Sequence, residues 1–180
     1  MAKLFNLFGD SKATVGATAL ATPVPAAPPA AIPLPSQRAP DPINYDASLV
    51  TKLTEDHARL VNTFTQLMPL LKQGSLQGFR TKLANFKTEF QGHIIKENVK
   101  FYVYLEQSLL RDETNMELMR DFRREMNTIS RAVVNFCNKY IESNLDFAAI
   151  KQFEAESGQI AQALLHRIER EERDLYSLYR

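Results

Sequence analysis

The sequence predicts an all-helical protein, an up-down-up-down antiparallel four-helix bundle that follows a disordered N-terminal tail rich in proline and alanine. Two patterns support this prediction. From Tyr45 onward, apolar residues recur every three or four positions, as one face of an α-helix requires. Before that point the chain is crowded with proline, since all but one of its 9 prolines precede residue 43. The composition, 44% hydrophobic and 24% charged over 180 residues, is that of one ordinary globular domain with a tail.

The N-terminal region divides into a short apolar motif, residues 1–9, and a linker, residues 10–44. The linker lacks backbone donors at its prolines and carries little large apolar surface, so we expect an extended, solvated chain with polyproline II character. The motif contains four large apolar residues that are costly to expose: Leu4, Phe5, Leu7 and Phe8. Two interpretations stay open. The motif docks on a partner protein or a membrane surface, or it folds back onto the bundle or frays.

Helices A and B are predicted at residues 47–72 and 76–110. A turn at Gly74 ends helix A, because glycine readily adopts the conformation that closes a helix. The apolar stripe of helix A consists of Leu53, Leu60, Phe64, Leu67 and Leu71. That of helix B consists of Phe79, Leu83, Phe86, Phe90, Phe101 and Tyr104. The stripe of helix B is therefore interrupted between Phe90 and Phe101.

Helices C and D complete the predicted bundle. Helix C is predicted at residues 115–142, and its inward positions are Met119, Phe122, Met126, Ile129, Val133, Phe136 and Tyr140. Helix D begins after Asp146, a residue suited to an N-cap, and continues to near the C-terminus. Its stripe consists of Ile150, Phe153, Ile160, Leu164, Ile168, Leu175 and Leu178. Because short loops between long helices favour antiparallel neighbours, residues 45–180 are predicted to form the bundle.

Polar residues interrupt these apolar stripes at four positions: His57 on helix A, His93 and Glu97 on helix B, and Glu171 on helix D. His93 and Glu97 are four apart and share a helix face. His57 lies 17 positions before Gly74, and the residue 17 positions after it is 91, within one helical turn of His93. Buried ionisable groups are costly unless they are paired or bind a metal. Two imidazoles and two carboxylates suit iron, zinc or manganese, and a hydrogen-bonded network without metal is the alternative.

Composition and charge exclude several classes of function. A net charge of +1 creates no strong field for nucleic acid, and acidic residues balance the arginines of helix C. No run approaches the roughly 18 to 20 apolar residues of a transmembrane helix, and the N-terminal motif is too short for a secretory signal. The single cysteine, Cys137, cannot form an internal disulfide and is interpreted as a buried hydrophobe. We expect a cytoplasmic protein that is not an enzyme, since no nucleophile, base and oxyanion arrangement is recognisable.

Three motifs of the bundle resemble those of the hemerythrin-like (HHE cation-binding) domain family. The first is Asp56-His57 at the opening of helix A. The second is His93-x-x-x-Glu97, which precedes an aromatic pair at residues 101 and 102. The third is the acidic pair at residues 171 and 172 followed by Leu175-Tyr176. The resemblance covers residues 48–180 and leaves the tail outside the family pattern.

The resemblance implies a di-iron centre whose ligands match His57, His93, Glu97 and Glu171, with Glu172 as an alternative to Glu171. The family pattern includes a histidine on the third helix and another on the fourth.

This chain departs from the family pattern on helices C and D. Helix C contains no histidine, and Met126 at the aligned position is interpreted as a core residue. On helix D, Arg167 occupies the expected position, and His166, one residue earlier, is a further candidate ligand. The guanidinium of Arg167, near Glu97 and Glu171, could replace the charge of a metal.

Two functional hypotheses follow. The first is a non-haem iron protein, a di-iron centre included, that binds or senses oxygen, nitric oxide or the metal itself through His57, His93, Glu97, Glu171 and His166. The second is a metal-free regulatory bundle, in which residues 4–8 dock on a partner protein and helices C and D present the interface. The sequence leaves the oligomeric state open.

Overall fold

The computed structural model describes residues 43–180, and every regular element in this part of the chain is helical. The elements form four helical segments. The first contains α1 (Leu49–Thr65) and α2 (Leu67–Lys72), and the second contains α3 (Leu76–Lys96), a π-helical turn (Glu97–Phe101) and α4 (Tyr102–Ser108). The third is α5 (Glu113–Glu142), and the fourth contains α6 (Phe147–Arg170), a second π-helical turn (Glu171–Leu175) and a 3₁₀ turn (Tyr176–Leu178). The N-terminal motif and all but the last two residues of the linker lie outside the described residues.

Helix A, predicted as one continuous helix, is broken at Gln66. Pro69 has no backbone N–H, so it cannot donate the helical hydrogen bond to the carbonyl of Thr65, four residues earlier. The helix therefore ends at Thr65 and begins again at Leu67. The apolar stripe continues across the break, because Leu67 and Leu71 are both buried.

Two helix ends form as the sequence predicts. Gly74 has a φ of 72°, and the backbone N–H of Ser75 donates to the carbonyl of Leu70 at 2.9 Å, which closes the first segment. At the start of α6, the carboxylate of Asp146 accepts from the backbone N–H of Ala149 at 2.8 Å. The glycine therefore marks the end of the first segment, and the aspartate marks the start of the fourth.

The core consists of two apolar clusters with a polar layer between them. The first cluster includes Leu60, Phe79, Phe86, Phe90, Phe136 and Phe153. The second includes Leu53, Phe101, Tyr102, Phe122, Leu175 and Tyr176. Along three of the segments the chain passes from one cluster to the other through a polar residue: His57, Glu97 or Glu171. The helices thereby hold ionisable side chains at one level of the core.

The contacts between segments bring this layer together. Helix α3 packs against both α1 and α5, and α5 packs against α6. Cys137 on α5 is buried as predicted, and burial raises the pKa of its thiol to about 12. None of the described helices combines the length and apolar character that a membrane-spanning segment requires.

Candidate metal centre

Four of the five candidate ligands from the sequence meet in the core. His57, His93, Glu97 and Glu171 are each at most 3% exposed. One donor atom from each lies within 4.8 Å of the donor atoms of the other three. Because α1, α3 and the two π-helical turns supply one residue each, the group joins three of the four segments.

The two imidazoles turn the same ring nitrogen inward. The Nε2 atoms of His57 and His93 are 3.1 Å apart. On the outer side, the Nδ1 of His57 lies 2.9 Å from a carboxylate oxygen of Glu172, and the Nδ1 of His93 lies 3.7 Å from Asp56. The hydrogen bond with Glu172 favours a proton on the Nδ1 of His57 and leaves the lone pair of its Nε2 free, whereas the Nδ1 of His93 has no hydrogen-bond partner among the described residues. Both Nε2 atoms are thus placed to act as donors to one cation.

Each buried carboxylate has one oxygen that is bonded and one that is not. Glu97 accepts from the hydroxyl of Tyr176 at 3.1 Å through Oε1, and Glu171 accepts from the Nε of Arg167 at 2.7 Å through Oε1. Their Oε2 atoms have no hydrogen-bond partner among the described residues, and that of Glu171 lies 3.4 Å from the Nε2 of His57. A buried oxygen without a partner is costly, and a cation between the two carboxylates would satisfy both. The donor set therefore fits a metal ion.

The two π-helical turns position both the acids and the tyrosines of the site. Glu97 and Glu171 each begin a turn in which a backbone N–H donates to a carbonyl five residues earlier: Tyr102 to Glu97, and Tyr176 to Glu171. Tyr176 then donates to Glu97, and the hydroxyl of Tyr102 accepts from Arg167 at 2.9 Å. Neither the turns nor these two contacts were predicted, although both tyrosines belong to the motifs that the sequence displays.

Burial and mutual repulsion shift the pKa values of the site. Burial, together with the nearby charge of Glu171, raises the pKa of Glu97 to about 8. Burial, together with the His57 ring, lowers the pKa of His93 to about 4. Burial also lowers the pKa of His57, but the neighbouring carboxylates of Glu171 and Glu172 outweigh this effect and leave the pKa raised. Without a cation, protons occupy part of the site, and a metal ion would have to displace them.

A small apolar cavity of about 60 Å³ opens beside these residues, between α1 and α6. Its lining consists mostly of apolar side chains and includes Leu60, Val61, Phe64, Phe90, Met126, Ala161, Leu164 and Ile168. Four ionisable side chains also line it: His57, His93, Arg167 and Glu171. The cavity exceeds the roughly 10 to 15 Å³ that one water molecule needs.

The comparison with protein families agrees with this geometry. Residues 48–179, more than half of the chain, match the model of the hemerythrin HHE cation-binding domain. The chain belongs to this family. Comparisons with curated proteins and with solved structures gave no match.

This hemerythrin-domain chain departs from the family's ligand pattern where the sequence indicated. Arg167, 1% exposed, points into the site and binds Glu171, while Met126 is buried in the first apolar cluster. His166 is exposed and is not part of the four-residue group. Successive residues of an α-helix differ by about 100°, so a helix that turns residue 167 toward Glu171 turns residue 166 away. The structure therefore does not bring His166 to the site.

Proposed function

We propose that this hemerythrin domain is a non-haem iron protein that binds a small uncharged ligand, oxygen or nitric oxide, as a carrier or sensor. The observation that supports the proposal best is the pair of orphaned carboxylate oxygens on Glu97 and Glu171, which lie beside the convergent Nε2 atoms of His57 and His93. Nitrogen and oxygen donors in this mixture suit iron, manganese or zinc, and the family favours iron. When bound, ferrous iron would supply an open coordination position and one-electron redox chemistry.

The apolar cavity favours a small uncharged ligand. A charged molecule would lose its hydration along the apolar part of the wall, whereas a diatomic molecule gives up little. The cavity adjoins His57 and His93, so its contents lie next to the candidate ligands. A cavity beside the candidate metal ligands suits a protein that binds a small ligand without transforming it.

Three further features of the protein are proposed from the sequence alone. We propose that the four helical segments run in alternating directions, because short connections join them, and that the protein is cytoplasmic. The docking of residues 4–8 on a partner protein likewise rests on sequence alone, since these residues lie outside the described part of the chain.

A metal-free regulatory bundle is the second candidate function. The ion pair between Arg167 and Glu171, together with the raised pKa of Glu97, favours it because both reduce the negative charge of the core. In that case the bundle would act through a protein interface.

Metal analysis distinguishes the two functions. Purified apo-protein is reconstituted with ferrous iron without oxygen, desalted and assayed for iron, with optical spectra before and after peroxide. We expect bound iron in the unaltered protein. We also expect His93→Ala to bind iron at least about tenfold more weakly. Removing a residue that only holds a metal ligand in place already lowers metal affinity by about that much, so removing a ligand should cost no less.

The matched control is His166→Ala, which removes an exposed histidine of the same protein and should leave iron binding unchanged. Iron at background in the unaltered protein, with helicity that chelation does not alter, would favour the metal-free function. Equal iron in His93→Ala and His166→Ala would exclude the proposed ligand set.

A further inference from the structure

Arg167 is held in the core as a fixed cation. Its Nε and Nη2 donate to Glu171 at 2.7 and 2.5 Å, and Nη2 also donates to the hydroxyl of Tyr102. Its remaining nitrogen, Nη1, lies 3.2 Å from Glu125, and the guanidinium lies 4.5 Å from the ring centre of Phe122. All three guanidinium nitrogens thus have partners, and the side chain is 1% exposed.

The guanidinium occupies oxygen atoms that a second metal ion would need as ligands. One oxygen of Glu171 and the hydroxyl of Tyr102 are both committed to Arg167. On α5, Met126 belongs to the apolar cluster, and Glu125 is divided between Arg167 and Arg170. Among the described residues, the group that could hold an ion contains four members, which is enough for one ion.

The charge of the core also fits one divalent ion. Glu97 and Glu171 are the two carboxylates of the four-residue group, and Arg167 supplies one positive charge. Asp56, buried behind His93, is already paired with Lys96 and Arg59. One divalent ion would leave this interior with a single net positive charge, and a second ion would raise that charge to three. A net charge of three in a dry core is costly, and no further buried acid in the group offsets it.

We infer that Arg167 stands in place of a second cation, so that this domain binds one divalent ion, through His57, His93, Glu97 and Glu171. The inference rests on the proposed metal function and sets its stoichiometry. The inference has a second consequence, besides the stoichiometry, for the stability of the metal-free protein. Because the guanidinium already pairs with Glu171, the core should remain folded when the metal is removed.

Metal stoichiometry is the direct test and needs no variant. The full chain is titrated with ferrous iron without oxygen, and separately with Mn²⁺, and the bound metal is counted after desalting. One ion per chain is expected. Two ions per chain would overturn the inference and leave the proposed metal function intact, whereas no bound ion would overturn both.

The second consequence is tested by chelation. Arg167→Met removes the charge, and Arg170→Met is the matched control, because Arg170 also binds Glu125 and also stacks on Phe122 but is half-buried. Chelation should lower the Tm of Arg167→Met much more than that of Arg170→Met or the unaltered protein, and added metal should restore it. Equal falls in Tm for the two variants would overturn the role of Arg167.

Discussion

At the scale of single residues, the site stabilises buried charge through pairs of neighbours. Glu97 depends on Tyr176, Glu171 depends on Arg167, and His57 depends on Glu172. In each pair the partner occupies one atom of the site residue and leaves the other atom directed inward. The outer partners therefore fix orientation, and the inward atoms are those that would bind a cation under the proposed function.

The metal-free protein should become less stable as the pH rises from 6.5 to 8.5. The folded protein keeps a proton on Glu97, whose pKa is about 8, while the unfolded chain releases it near 4.5. That contribution to stability is complete below the unfolded pKa and is lost as the pH rises through the folded one. His57, with a raised pKa, acts in the same direction, whereas His93, at about 4, has the opposite effect only below its ordinary 6.5.

Urea unfolding at pH 6.5, 7.5 and 8.5 with a chelator present measures this dependence. Glu97→Gln, which is uncharged throughout, should show a flatter decline than the unaltered protein. Parallel declines in the two proteins would contradict the assignment of the proton to Glu97.

At the scale of elements, helix ends and local breaks place the site residues in register. Gly74 ends the first segment in a left-handed conformation, and a side chain there meets no atom within 4 Å, so only backbone strain opposes it. Gly92 also has no neighbour within that distance but lies inside α3. Because an added side chain meets no neighbour at either position, the two substitutions compare the backbone conformations alone.

Gly74→Ala should destabilise the protein by about 1 to 2 kcal/mol, because a residue with a Cβ is strained at positive φ. Gly92→Ala should stabilise it by about 0.5 to 1 kcal/mol, since alanine favours the helix interior. Chemical unfolding of both variants at one pH measures the difference. Changes of the same sign would contradict the assigned conformations.

The sequence predicts the site residues better than it predicts the local helix geometry. Polar residues stand out on an apolar stripe, which is why His57, His93, Glu97 and Glu171 could be selected. The π-helical turns leave no comparable signal, since Glu97 and Phe101, like Glu171 and Leu175, are four residues apart, the spacing of an ordinary α-helix. The break before Pro69 has a clear cause in the sequence, because proline lacks the N–H of a helix interior. Chemical type favours His166 as a ligand, whereas the helical phase favours residue 167 at the inward position.

At the scale of the whole molecule, the polar layer divides the core, and a cavity reaches it from between α1 and α6. Apolar side chains form most of its wall, and the site residues His57 and Glu171 also line it. Under the proposed function, this cavity is the space from which a small ligand reaches the metal. Ala161 lines it on α6, and Ala163 lies on the exposed face of the same helix.

Ala161→Phe should therefore slow ligand association without removing the metal. The added ring occupies much of the roughly 60 Å³ of space, and the cost of overpacking is about 1 to 3 kcal/mol, which a Tm measurement would detect. Stopped-flow absorbance with nitric oxide and the ferrous protein measures the association rate, and metal analysis measures iron. Ala163→Phe, with the same ring on the solvent side, should associate at the unaltered rate. An unchanged rate in Ala161→Phe, with iron retained, would mean that the ligand does not reach the site through this cavity.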